Sequence, residues 1–241
     1  MAKIISLTLF LILASAAVAQ KQEKLALELW ISEAEAVLAG TDSYSTIFHK
    51  QEQLDEVLSE EETIYLKFKK PFKVYMKWIK APYKGRELLY AEGWNNNRLK
   101  VHEGGILGIV NVNLDPKSAR VMKGTRHPIT DTGLENLVRV IGKDLRKGLK
   151  AGNVGVIDHG EETVYEHKTR KFEGIFPKDK TKGYYCYRAV INLDIEKKVP
   201  LRVMIYDWGD NLIENYGYEG LKLDAGLTDA DFDPKNPAYR F

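Results

Sequence analysis

Two periodicities divide the chain. Between Gln22 and Ala39 the apolar residues Leu25, Leu29, Trp30, Val37 and Leu38 recur at helical spacing, and Gly40 follows as a stop, which predicts a first helix. From Ser43 to Gly105 the period falls to two. Ile64, Leu66 and Phe68 alternate with Thr63, Tyr65 and Lys67, and Phe72, Val74, Met76 and Trp78 alternate with Lys73, Tyr75 and Lys77. Lys70-Pro71 between those runs predicts a tight antiparallel connection. Gly85–Ala91 and Asn97–Glu103 supply two more strand-like runs around the turn-forming Gly93-Trp94-Asn95-Asn96.

A glycine-rich stretch from Gly104 to Asn113 follows, then a strand-like Ala119–Met122 and a turn at His127-Pro128. Helical spacing returns at Leu134, Leu137, Val138, Ile141, Leu145 and Leu149, with Thr132 and Glu135 placed as a capping box. Lys143, Arg146, Lys147 and Lys150 load the C-terminal end of this helix, which suits its dipole. Strands are predicted again over Val154–Ile157, Glu162–Thr169, Gly183–Leu193, Leu201–Asp207 and Asn211–Tyr218. An irregular tail from Leu227 to Phe241 is rich in Asp and Pro. Strands outnumber helices and no composition break divides them, so the expectation is one α+β domain.

The N-terminus reads differently. Met1-Ala2-Lys3 is a short positive start, Ile4–Leu13 is an apolar run, and Ala17-Val18-Ala19 is a small-x-small site before Gln20. The run is shorter than the ~20 residues that a spanning helix needs. Residues 1–19 are therefore expected to be a cleaved export signal and residues 20–241 the mature domain. No cysteine stands at the junction, so no lipid anchor is expected.

Composition chiefly excludes. A formal charge of +2, from 36 basic and 34 acidic residues, leaves no basic excess for nucleic acid. The one cysteine, Cys186, rules out an intramolecular disulfide and any multi-cysteine metal site. It sits in Tyr184-Tyr185-Cys186-Tyr187-Arg188, which reads as strand interior and makes it a small buried apolar side chain. No serine lies in a G-x-S-x-G elbow, and Gly105-Ile106-Leu107-Gly108 has no following lysine or capped helix to cradle phosphate, so it reads as a mobile surface loop. His159, Glu161, Glu166 and His167 are the best metal or acid–base candidates, since His159 and Glu161 would share a strand face. The density of charge around them reads instead as a solvated hairpin, and His49, His102 and His127 stand alone. No catalytic residue, metal or cofactor is assigned. What the chain has in abundance is aromatic: 13 Tyr, 8 Phe and 4 Trp. Both faces of a sheet need a core, so this abundance alone leaves filled interior and ligand cavity open.

Two segments resemble the LolA-like periplasmic lipoprotein-carrier superfamily. The first runs from the N-terminal helix through Glu62–Lys70-Pro71, Tyr75-Met76-Lys77-Trp78, Pro82, Leu88-Leu89-Tyr90 and Gly93-Trp94-Asn95. The second is Leu227-Thr228-Asp229-Ala230-Asp231-Phe232-Asp233-Pro234. With the middle helix, His127 to Leu149, the resemblance covers most of the mature chain, and it is stronger to a longer branch of the superfamily than to the lipoprotein carrier itself. It implies an incomplete, strongly curved antiparallel β-barrel whose mouth is covered by a helical lid, with a concave face that binds acyl chains.

On that basis Ile64, Leu66, Phe68, Phe72, Val74, Met76, Trp78, Leu201, Val203 and Ile205 are expected to bind ligand. Leu134, Leu137, Val138 and Ile141 are expected to form the apolar face of the lid. The superfamily's lipoprotein carrier has an arginine immediately before the proline that ends this strand, and it helps latch the lid. Here the position is Lys70, which lacks a planar donor fork, so a latch built the same way is not expected. Gly104–Asn113 and Gly160–Lys182 have no evident counterpart, which points to lipid or another amphiphile as cargo. The expected function is a soluble periplasmic, non-catalytic carrier or binder of lipid or acylated cargo, including lipoprotein, with envelope membrane proteins that load or unload it. The alternatives are a periplasmic interaction or sensor module using the same curved sheet with a fixed lid, and a hydrolase built on His159, Glu161 and His167.

Overall fold

The computed structural model describes residues 2–104 and 111–241, with side chains from Ala17 onward. A first helix, α1 (Ala2–Gly40), leads into β1 (Ser43–Leu54), the short β2 (Val57–Leu58), β3 (Glu62–Lys69), β4 (Lys73–Trp78) and β5 (Glu87–Ala91). Then come β6 (Leu99–His102), β7 (Asn111–Leu114), a one-turn helix α2 (Ala119–Met122) and the long α3 (Leu134–Ala151). The chain finishes with β8 (Gly155–Val164), β9 (His167–Ile175), β10 (Arg188–Asp194), β11 (Pro200–Tyr206) and β12 (Leu212–Leu223).

All twelve strands join one antiparallel sheet in the order β7-β6-β5-β4-β3-β1-β12-β11-β10-β9-β8, with β2 on the end of β1. The sheet does not close: β7 and β8 are its edges. Strands β3 to β7 and β8 to β12 each run as an antiparallel meander, and the two halves join at the centre through the long β1, which pairs with β3 on one side and with the last strand on the other, Phe48 opposite Tyr218. The architecture is the LolA-like open, curved barrel with helices against its inner face.

The helices divide that face unequally. α1 packs against α3 and β8, and its Trp30 ring stands 6.4 Å from Phe172 of β9. α1 therefore covers the β8–β9 end, with Leu27, Ile31, Ala34 and Leu38 buried in the main core. This differs from the predicted stripe: Leu25 and Leu29 are each 59% exposed, while Trp30 and Val37 are partly buried. The true stripe is a residue or two out of phase, because α1 docks on α3 as well as on the sheet. No helix among the described residues is long and apolar enough to cross a membrane.

Other departures have local causes. Ala119–Met122 is a helical turn, too short for its apolar residues to distinguish period two from period 3.6. Glu162–Thr169 is two strands, broken where Tyr165 and Glu166 take positive φ. The segment before Arg188 is irregular, so Cys186 is buried beside β10 and not within it. The end of the glycine-rich stretch runs into a strand, β7, and residues 105–108, expected to be a mobile loop, lie outside the described residues. The Thr132–Glu135 capping box does not form. Gly133 takes the N-cap position of α3 at φ 128°, and a Cβ there would lie 3.2 Å from the Phe68 ring. At the far end Gly152 closes α3 in the left-handed conformation, φ 67°.

The irregular tail has a definite place. Phe232 joins Tyr75 and Leu89 in a second small core, on the face of β4 and β5 away from α3. Tyr239 stacks on Tyr75 at 3.9 Å, and Lys67 holds Asp231 at 2.7 Å. Tyr75, in the polar phase of the strand pattern, is thus only 1% exposed.

Candidate functional site: a roofed cavity with a charged patch

Because α1 and α3 fill the β8–β10 end of the inner face, the β3–β6 end is left without helical filling. Between it and α3 lies a cavity of about 560 Å³. At about 30 Å³ of liquid volume per water, the space is far larger than the voids of a close-packed core. Its apolar wall is built by the inward phase of the strands: Phe48, Ile64, Leu66, Met76, Trp78, Leu88, Leu99 and Val101. α3 roofs it with Leu137, Val140 and Ile141, and Val121 of α2 closes another side.

The ten expected ligand positions divide evenly. Ile64, Leu66, Met76, Trp78 and Ile205 border the cavity. Phe68, Phe72, Val74, Leu201 and Val203 do not, although all share the inward phase. Phe68 stacks on Tyr44 at 5.0 Å and meets Phe72 edge-on at 5.5 Å, closing the end of the space near Gly133. Val74, Leu201 and Val203 are at most 1% exposed in the main core. Alternation finds the inner face of a strand but not which part of that face a helix fills. On α3, Leu137 and Ile141 border the cavity, while Leu134 and Val138 are fully buried and anchor the helix.

Lys70 lies where the end of α1 meets the start of α3, and brings a point charge in place of a fork. Its Nζ donates to the carbonyls of Leu38 (2.8 Å) and Ala39 (3.1 Å) at the C-terminus of α1, and lies 3.2 Å from Glu135 in the first turn of α3. Tyr44 Oη accepts the Leu134 amide at 3.1 Å, and Arg146 of α3 pairs with Glu28 (2.8 Å) and Glu35 (2.6 Å) of α1.

The cavity wall also carries a patch of buried charge, none of it among the expected site residues. Glu52, Glu62 and Glu214 are 3%, 7% and 2% exposed, from β1, β3 and β12, and all three border the cavity. Lys50 Nζ lies 3.2 Å from both Glu52 and Glu62, and the Trp78 indole donates to Glu62. Glu52 also accepts from Tyr216 Oη (2.6 Å), Thr125 Oγ1 (3.1 Å) and the Arg126 amide (2.9 Å). Glu214 accepts from Arg126 Nε (2.8 Å), His127 Nε2 (3.0 Å) and the Tyr185 hydroxyl. Two sheet carboxylates thus clasp the strap Thr125–His127, which leads into the roof helix.

Burial pushes the Glu214 carboxyl up, but hydrogen bonds from His127 and its other donors hold it below the ordinary carboxylate range. The same bond lifts the His127 imidazole above its ordinary value against an opposing cost of burial. Burial and the adjacent Glu214 push the Tyr185 hydroxyl well above its usual range. The signal was present in the sequence: Glu62 is in phase with Ile64 and Leu66, and Glu214 with Tyr216 and Tyr218. A carboxylate in the apolar phase must find buried partners.

The His159 group is dispersed. His159 stands at a bulge of β8 and pairs with Glu173 at 2.7 Å, whereas His167 faces Asp194 at 3.2 Å. No group of three or more His, Cys, Asp or Glu side chains among the described residues is placed to hold a metal. Burial pushes the Cys186 thiol up to about 12, assisted by nearby Asp144.

Lipoprotein LppX of Mycobacterium tuberculosis has the same fold, at TM-score 0.52 and 12% identity over 86% of this chain and 98% of that one. A LolA superfamily protein from Nitrosomonas europaea aligns at TM-score 0.39 and 11% identity, over 85% of this chain and 96% of that one. A DUF1329 family protein from Desulfovibrio piger aligns at 0.39 and 16%, over 86% and 96%. No curated protein matches the sequence. Residues 41–241 match DUF1571, a family described as proteins of unknown function, and the chain belongs to that family.

Proposed function

We propose that this chain is an exported, non-catalytic binder or carrier of a lipid or other acylated amphiphile, held between the β3–β6 wall and α3. The observation that carries the reading is the cavity of about 560 Å³, apolar over most of its wall and roofed by one amphipathic helix. Transferring about a dozen methylenes from water at about 0.8 kcal/mol each gives on the order of 10 kcal/mol before the cost of immobilising the chain. Directional chemistry is not needed for such binding. The ten strand positions and four roof positions read from the sequence divide into cavity wall and support as described above. Cleavage before Gln20 would keep the contacts that Gln20 makes with the Val156 backbone at 2.6 and 3.2 Å, so the mature chain retains its tie to β8. Delivery and collection of such cargo would fall to proteins of the envelope membranes.

The test is native mass spectrometry of protein exported by its host, with titration of a fluorescent fatty-acid probe. Copurifying lipid or probe uptake, abolished by Leu137→Trp with unfolding unchanged, supports the reading. Bare protein that takes up no probe overturns it. A second reading, a protein-interaction module with a fixed roof, is favoured by the ties from Lys70, Tyr44 and Arg146 that hold α3. It requires that amide exchange across Thr132–Lys150 be the same with and without probe.

A further inference from the structure

The charged groups inside the cavity are occupied by one another or by neighbouring hydroxyls. Glu52, Glu62, Lys50, Arg126 and His127 all have partners in the clasp, with Tyr185 and Tyr216, so among the described lining residues no interior charge is left to select a charged cargo; Tyr218 adds only a neutral hydroxyl. The rim is different. The cavity-bordering residues that are also exposed include Tyr83, Arg120, Asp131 and Arg139, and they mark where the cavity meets solvent. Among the described residues, neither Arg120 of α2 nor Arg139 of α3 pairs with a carboxylate. Arg139 donates only to the neutral Asn136 Oδ1, at 2.5 Å. The other rim-side guanidinium, Arg86, is taken by Glu103 at 2.9 Å, so among the described rim residues Asp131 is the one carboxylate without a cation, against two guanidiniums without a carboxylate.

We infer that the cavity takes an amphiphile with an acidic head group, a phosphate or carboxylate, which the Arg120 and Arg139 guanidiniums bind at the rim while its chain fills the apolar interior. This rests on the chain-binding function proposed above and adds the class of head group and its orientation. A guanidinium presents paired donors matched to a carboxylate or phosphate, whereas an uncharged head offers it little. Placing the charge at the rim also avoids bringing a fourth anion beside Glu52, Glu62 and Glu214, where no free cation would offset its desolvation. The chain enters first and the head stays in water.

The experiment compares three ligands of one chain length by titration calorimetry: dodecanoate, dodecyl phosphate and the uncharged monododecanoylglycerol. Inorganic phosphate is the competitor. The expected result is anionic binding about tenfold tighter than neutral, given two exposed charge pairs, with the preference shrinking as salt is raised. In the Arg120→Gln/Arg139→Gln variant the preference disappears while the neutral ligand binds as before. Both side chains are exposed, and an unchanged unfolding curve checks that the fold survives. Equal affinity of charged and neutral ligands in the unaltered protein overturns the head-group inference and leaves chain binding standing. Inorganic phosphate displacing dodecyl phosphate at comparable concentration also overturns it, by making the rim a free-anion site. Failure of all three ligands to bind overturns the function proposed above.

Discussion

Replacing Glu214 by alanine removes the acceptor at the centre of the clasp. The carboxylate is 2% exposed and takes three donors, so its loss strands Arg126 and His127 beside a new void. Breaking a fully buried pair costs about 3–5 kcal/mol, but water reaches Arg126 (29% exposed) and His127 (36% exposed), so about 2–3 kcal/mol is expected. Glu214→Gln keeps an acceptor and loses only the charge, for about half that cost. The pH dependence separates this account from simple loss of packing. His127 is raised above 6.5, so its contribution is complete below 6.5 and fades as the pH climbs through the raised value. Glu214 is lowered beneath 4.5, so its contribution is complete above 4.5 and fades as the pH falls through the lowered value. The clasp is therefore strongest between those limits, and the alanine variant should lose more stability at about pH 5.5 than at about pH 8. The difference is at most about 1 kcal/mol, because the imidazole is partly screened by solvent. Urea unfolding at both pH values, with unchanged m, measures it. A loss under about 0.5 kcal/mol at both, or a larger loss at the higher pH, would refute the clasp.

Two further outcomes follow from the helices and the core. Lys70→Met should leave the Leu38 and Ala39 carbonyls and Glu135 without their cation, cost about 1 kcal/mol, and speed amide exchange in the first turn of α3 more than in its last. Uniform exchange along α3 would mean that Lys70 does not hold the roof. Cys186, buried and with its thiol pushed up to about 12, should resist iodoacetamide at about pH 8 in the folded protein and react fully once unfolded, as read by intact mass.

What the sequence carried by itself is local and periodic. Alternation in Glu62–Trp78 follows from a pleated strand with one buried face, so it located β3, β4, their hairpin and the inward side chains. The heptad-like run from Leu134 to Leu149 located α3, since an amphipathic helix needs one apolar stripe wherever it docks. The order of these segments was enough for the resemblance to a LolA-like half-barrel. Periodicity says which way a side chain points and nothing of what it meets there. Leu201 and Leu66 share a pattern, yet one lies in filled core and the other borders the cavity, because α1 and α3 pack directly onto one end of the sheet and leave a gap over the other. Tyr75 read as outward and is buried by a tail more than 150 residues downstream in the sequence, Tyr239 stacking on it. Glu52 and Glu214 lie more than 160 residues apart in the chain and form a clasp only because β1 and β12 pair side by side, Glu52 opposite Glu214. Burial, pairing and empty volume depend on elements distant in sequence, and tertiary packing alone decided them.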